Sequence, residues 1–103
     1  MRFDRSGRTL WLDAAALEGN PHFTVRPWRN ADRLAPYGMN RGTRLVSDIL
    51  AEAHIPLPKR RCRLVVERDG VILWVVGLRA SRHFPVTDAT TSVLAIKMPP
   101  EML

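Results

Sequence analysis

The sequence predicts an α+β domain, a small, mainly antiparallel sheet with one principal helix. Three observations predict it. Cys62 to Glu67 and Val71 to Val76 are strand-like runs that meet across Arg68-Asp69-Gly70, the pattern of a β-hairpin. Thr43 to His54 carries apolar residues at helical spacing. Short strand patterns at Phe23–Trp28 and Ser92–Lys97 stand on either side of these.

Taken in order, Thr9 to Leu12 reads as a short strand after a Ser6-Gly7 turn. Asp13 to Leu17 reads as one helical turn, stopped by Gly19-Asn20-Pro21. Phe23 to Trp28 alternates, with Phe23 and Val25 expected on an apolar face and Thr24, Arg26 and Trp28 on the other. Residues 29–42 form a long loop marked by Pro36, Gly38 and Gly42, and long loops in small domains tend to carry function. The helix follows, with Thr43 as its expected cap and Leu45, Val46, Ile49, Leu50 and Ala53 as its buried stripe. Arg44 and Asp48 stand i,i+4 and are expected to pair weakly; Pro56 ends the helix. The second hairpin strand is apolar on both faces and so belongs at the centre of the sheet. Leu78 to Pro85 is a second irregular, basic segment, and Pro99-Pro100 closes the fold.

At 103 residues with 46% hydrophobic side chains, the chain suits one domain with one core. No apolar run approaches the roughly 20 residues of a membrane helix, and Met1 to Arg5 lacks the apolar stretch of a signal peptide. A single cysteine, Cys62, fits a reducing, cytoplasmic setting, and its place in an apolar alternation reads as a buried small hydrophobe. The formal net charge is +6, and all the basic residues but Lys59 and Lys97 are arginine, whose planar fork of donors suits phosphate. Charge of this kind leans toward nucleic acid without settling it.

Enzyme chemistry finds little support in the residues. The six glycines are scattered, so no glycine-rich phosphate loop exists. His22, His54 and His83 lie far apart, without cysteine or carboxylate at metal-ligand spacing. Cys62 with His83 as a nucleophile pair lacks sequence context, and Asp32 and Asp48 both stand beside arginines that suit salt bridging.

Three ordered stretches carry a resemblance. Val25-Arg26-Pro27-Trp28-Arg29-Asn30-Ala31-Asp32-Arg33-Leu34-Ala35-Pro36-Tyr37-Gly38-Met39 is the first. Arg44-Leu45-Val46-Ser47-Asp48-Ile49-Leu50 with Ile55-Pro56 is the second. Ile72-Leu73-Trp74-Val75-Val76-Gly77-Leu78-Arg79 followed by Arg82-His83-Phe84-Pro85-Val86-Thr87 is the third. Together they resemble the C-terminal domain of bacterial tRNA(Ile)-lysidine synthetases over roughly residues 9–97. The sequence departs from that family at Ala31, where the family has glycine, and at Arg44, where it has lysine. The resemblance implies a fold shared with a domain of phenylalanyl-tRNA synthetase β subunits. It implies a single C-terminal tRNA-recognition domain, residues 1–103, of an ATP-dependent ligase that joins lysine to the wobble cytidine of an isoleucine tRNA. In that reading ATP and magnesium serve an N-terminal catalytic domain outside this chain, this domain is itself non-catalytic, and it engages the tRNA chiefly at the acceptor stem.

Candidate RNA-contacting residues follow from the basic clusters. Arg26, Arg29, Arg33, Arg41 and Arg44 stand against the single acid Asp32 between residues 26 and 44, a segment of net +4. Lys59, Arg60 and Arg61 form a second cluster, continued by Arg63, and Arg79 and Arg82 a third. Such groups bind phosphate with salt-sensitive affinity and little sequence information. Arg33 reads equally as a structural partner of Asp32 or as an RNA contact, and Lys59-Arg60-Arg61 reads equally well as a solvated turn. Trp11 and Trp74 are expected in the core, Trp28 reads as core ahead of a ring stacked on an exposed base, and Met39 as a packing residue. The competing reading is a module that docks on the rest of its own enzyme or pairs with a second copy, without touching RNA.

Overall fold

The computed structural model describes residues 8–18 and 22–99. The turn expected at Ser6-Gly7, the stop at Gly19-Asn20-Pro21 and Pro100 lie outside them. The strands are β1 (Thr9–Asp13), β2 (Thr24–Pro27), β3 (Arg33–Leu34), β4 (Arg44–Leu45), β5 (Leu64–Arg68), β6 (Val71–Val75), β7 (Arg79–Ala80) and β8 (Val93–Lys97). The helices are α1 (Val46–Glu52) and α2 (Leu57–Arg60), and a 3-10 turn spans Ala15–Leu17.

The described strands form three layers with the helices. A sheet in the order β2-β5-β6-β3-β4, with β7 also on β6, is the middle one. A ribbon of β1 paired with β8 covers one face, where Leu10, Leu12 and Met98 close on Val66, Leu73, Trp74 and Val76. Helix α1 covers the other, where Val46, Ile49 and Leu50 close on Leu34, Val65, Ile72 and Val75. β6 must therefore be apolar on both sides, and its residues from Ile72 to Val75 are all buried. The β5–β6 hairpin turns at Asp69 (φ 52°) and Gly70 (φ 82°), the positive angles a tight two-residue turn demands. A register shift between Val66 and Glu67 leaves Leu73 as an extra residue on β6. The resulting kink turns both Leu73 and Trp74 toward the ribbon.

Several expectations need correcting. Thr43 does not cap the helix: Arg44 and Leu45 are extended, and α1 starts at Val46, whose N–H donates to the Asp32 carbonyl at 2.9 Å. Its stripe holds at Val46, Ile49 and Leu50, but Ala53 is exposed. The 29–42 loop contains β3, which pairs parallel to β6 through Leu34 and Ile72, the one parallel pairing of the described sheet. The Lys59-Arg60-Arg61 cluster winds into α2, which opens after Pro56 with Pro58 in its first turn. In β2 the expected faces are not one wet and one dry. Phe23 packs against the ribbon-side cluster and Trp28 against the helix-side cluster, while Val25 at the sheet edge is 43% exposed. Cys62 is exposed, because β5 begins only at Leu64 and the cysteine sits in the turn after α2. Met39 is exposed and Trp11 only half-buried, whereas Trp74 is core.

Candidate nucleic-acid interface

The geometry starts at Asp32. Its carboxylate takes both ends of the Arg26 guanidinium, Nη1 to Oδ2 at 2.9 Å and Nη2 to Oδ1 at 3.0 Å. The Arg29 backbone N–H donates to Oδ2 at 2.7 Å. Arg26 Nε reaches Glu67 Oε1 at 3.0 Å, so one arginine on β2 ties the loop to β5. The side chains of Arg26 and Asp32 are only 12% and 13% exposed. The Arg26 hydrogen bonds, opposed by desolvation and helped by the Arg29 N–H, hold the Asp32 carboxyl below its ordinary value. Arg26 is raised in turn, first by the hydrogen bond from its fork to Asp32. Since the Asp32 carbonyl also receives the Val46 N–H, this one residue joins β2, the loop and the start of α1. Arg26, a candidate RNA contact by sequence, is thus an internal strut. Its partner is Asp32, the acid expected to pair with Arg33.

Arg33 turns the other way. Its Nε donates to Thr43 Oγ1 at 2.6 Å and Nη2 to the Thr43 carbonyl at 3.4 Å. From the opposite side Arg82 Nη1 donates to the Gly42 carbonyl at 2.8 Å and the Met39 carbonyl at 3.4 Å. The segment between Tyr37 and Thr43 is held by two arginines, with Arg41 exposed on it. Gly38 (φ 92°) and Gly42 (φ 77°) supply the left-handed corners that let it turn back.

Trp28 donates its Nε1–H to the Arg60 carbonyl at 2.6 Å and packs its ring against the helix-side core. Arg60 Nε donates to the Ile55 carbonyl at 3.0 Å. These bonds fix α2 beside the loop and leave Lys59 and Arg61 exposed. Arg63 Nη1 donates to the Val76 carbonyl at 3.1 Å. Arg44 forms a two-point ion pair with Glu52, rather than with Asp48, and the pair raises Arg44 and lowers Glu52. Arg79, half-buried on β7, adds its field to Glu52.

The ten candidate cations therefore divide. Arg26, Arg33, Arg44, Arg60 and Arg82 make side-chain bonds within the fold, and Arg29, Arg41, Lys59, Arg61 and Arg79 make none among the described residues. The first set braces the fold; of the second, Arg29, Arg41, Lys59 and Arg61 stand exposed, and Arg79 is half-buried on β7. Sequence reasoning missed Glu67, because its place opposite Thr24, diagonal to Arg26, depends on the β2–β5 register over a long separation. It also gave no role to Tyr37, which is 64% exposed beside the clamped segment. Among the described residues no group of histidine, cysteine and carboxylate side chains is placed to hold a metal ion. No described helix is long and apolar enough to cross a membrane.

Fold and site together define a three-layered α+β domain that sets its arginines out on loops braced by internal ion pairs. The chain belongs to the TilS substrate C-terminal domain family, whose family model matches residues 23–96. It is 35% identical over 95 residues to the tRNA(Ile)-lysidine synthase of Caldanaerobacter subterraneus subsp. tengcongensis, covering 92% of this chain and 20% of that protein. The enzyme of the same name from Symbiobacterium thermophilum is 32% identical over 87 residues, covering 84% of this chain and 17% of the relative. A crystal structure of a TilS C-terminal domain superposes with a TM-score of 0.73 at 29% identity, over 96% of this chain and 77% of that one. The chain spans about a fifth of the length of the curated relatives it matches.

Proposed function

We propose that this chain is the tRNA-recognition domain of a tRNA(Ile)-lysidine synthase. In this reading it engages an isoleucine tRNA, chiefly along the acceptor stem, and commits it to a catalytic N-terminal domain of the same enzyme. There ATP with magnesium supports the joining of lysine to the wobble cytidine. The observation that carries the reading is the division of arginines, in a chain whose relatives bear that enzyme's name. Buried pairs such as Arg26–Asp32 fix the loops, and Arg29, Arg41, Lys59 and Arg61 stand exposed on them. Cations so displayed meet the phosphates of a helical stem, whose shape and backbone are the features a protein can reach.

The test is the salt dependence of binding to an isoleucine tRNA transcript and to an acceptor-stem hairpin. Binding to both, with log affinity falling linearly against log salt, is the expected result. No binding to either at low salt overturns it. The second reading, a module that docks on its own enzyme or on a second copy, draws on the five arginines already engaged within the fold. It is favoured if the domain binds no RNA yet restores activity when added to a separated catalytic half.

A further inference from the structure

A cleft of about 310 Å³ lies between β1 and the segment from Ala80 to Val86. Trp11 walls it, Tyr37 and His83 border it, Pro85 and Val86 close it, and Ser81 is its buried polar residue. Its size falls at the low end of small-ligand sites, roughly 300–1,000 Å³, and its lining is of their kind: apolar and aromatic, with few polar groups. From these features we infer that the cleft receives one unpaired nucleobase from the single-stranded 3′ end of a bound RNA stem. This rests on the RNA-binding reading above and extends it to a second mode of contact.

Three features favour a base over another flat apolar group. A ring is available: the large aromatic Tyr37 is 64% exposed at the border of the cleft. Bases stack on such rings whatever their identity, because each has a π-face. The border is also rigid. Tyr37 N–H donates to the Ala80 carbonyl at 2.9 Å and Arg82 N–H to the Ala35 carbonyl at 2.8 Å, while Asp13 N–H at the end of β1 donates to the Phe84 carbonyl at 3.0 Å, so the border and both sides of the cleft are bonded before any ligand arrives. Finally, the clamped segment that follows Tyr37 carries Arg41, and Arg82 adjoins His83. Positive charge on the segments that adjoin the lining suits the phosphate of a nucleotide and gives no advantage to an apolar peptide side chain. Within the cleft, Ser81 Oγ accepts the His83 N–H at 3.2 Å, which leaves the hydroxyl proton to donate to a base-edge acceptor.

The test uses this chain and two RNAs with one stem, one blunt and one with a single-stranded 3′ extension. The extension should tighten binding on the order of tenfold, the scale of one stacked base. Tyr37→Ala should abolish that gain and leave the blunt stem bound as before, while Tyr37→Phe, which keeps the ring, should retain it. Equal binding of the two RNAs by the unaltered chain overturns the cleft assignment while leaving stem recognition intact. So does a Tyr37→Ala loss that is the same for both RNAs. Failure of both RNAs to bind overturns the RNA reading and the cleft assignment with it.

Discussion

At the scale of single residues, Asp32 organises more of the molecule than its size suggests. It holds Arg26 by two points, caps the Arg29 N–H and passes its carbonyl to α1. Asp32→Asn keeps the shape and removes the charge from a little-exposed pair. The expected cost at neutral pH is about 2 kcal/mol, the scale of charge-assisted hydrogen bonds. The folded carboxyl lies below its ordinary value. Its contribution is thus complete above the unfolded aspartate value, about 3.9, and is lost as pH falls through the lowered folded value. Urea unfolding across pH should show the gap between wild type and Asp32→Asn closing on the acid side. Ala31 makes a second case. Its φ of 76° lies in the left-handed region, where a Cβ is strained, and it is the position at which the family it resembles has glycine. Ala31→Gly is expected to raise stability by roughly 0.5–1 kcal/mol, read as a higher melting temperature. No local pattern signals that strain; only the departure from the family's glycine points to it.

Among the elements, legibility follows the range of the interactions. The β5–β6 hairpin is plain because its signal is local: Asp69-Gly70 dictates the turn whatever surrounds it. The principal helix is plain from its stripe, but its start is not. Thr43 has the chemistry of a cap, yet its hydroxyl accepts from Arg33, and β4 keeps Arg44 and Leu45 extended against β3. The two-residue strands β3 and β7 exist because β6 offers an edge to pair with, which no local pattern encodes. At the site, the basic clusters can be read from the chain, but which cations are structural cannot, because Arg26 finds Glu67 and Arg82 finds Gly42 across long separations. Cys62 misleads for the same reason, since the alternation runs back to it while the pairing of β5 begins only at Leu64. Two expectations belong here. A seven-residue helix is too short to hold itself together, so α1 depends on burial. Leu50→Ala, at a fully buried position, should cost about 3 kcal/mol in urea unfolding. Trp28→Phe keeps most of the ring packing but removes the bond to the Arg60 carbonyl. It should cost about 1 kcal/mol and speed hydrogen exchange at the amides of Arg60 to Arg63 above that of the sheet.

For the whole molecule, the division of arginines predicts two kinds of failure. Arg29→Ala and Arg61→Ala should leave the melting temperature nearly unchanged. Each should weaken RNA binding and flatten the salt slope by roughly 0.9 for every phosphate that the missing cation no longer neutralises. Arg26→Ala should instead lower the melting temperature, because it leaves Asp32 and Glu67 without their shared partner. Measuring affinity and melting together on these variants separates display from bracing.

The pairing of β1 with β8 also bears on how the chain reaches this state during synthesis. Thr9 meets Lys97, so β1 waits for β8, the described strand farthest from it along the chain, before it can pair. Until then the ribbon side of the sheet, with Leu73, Trp74 and Val76, lacks half of its cover. Closing so long a loop carries a high entropic cost, and folds governed by distant pairings are slow. The sheet therefore keeps an apolar face open until β8 joins β1, and that pairing is the step that shuts it.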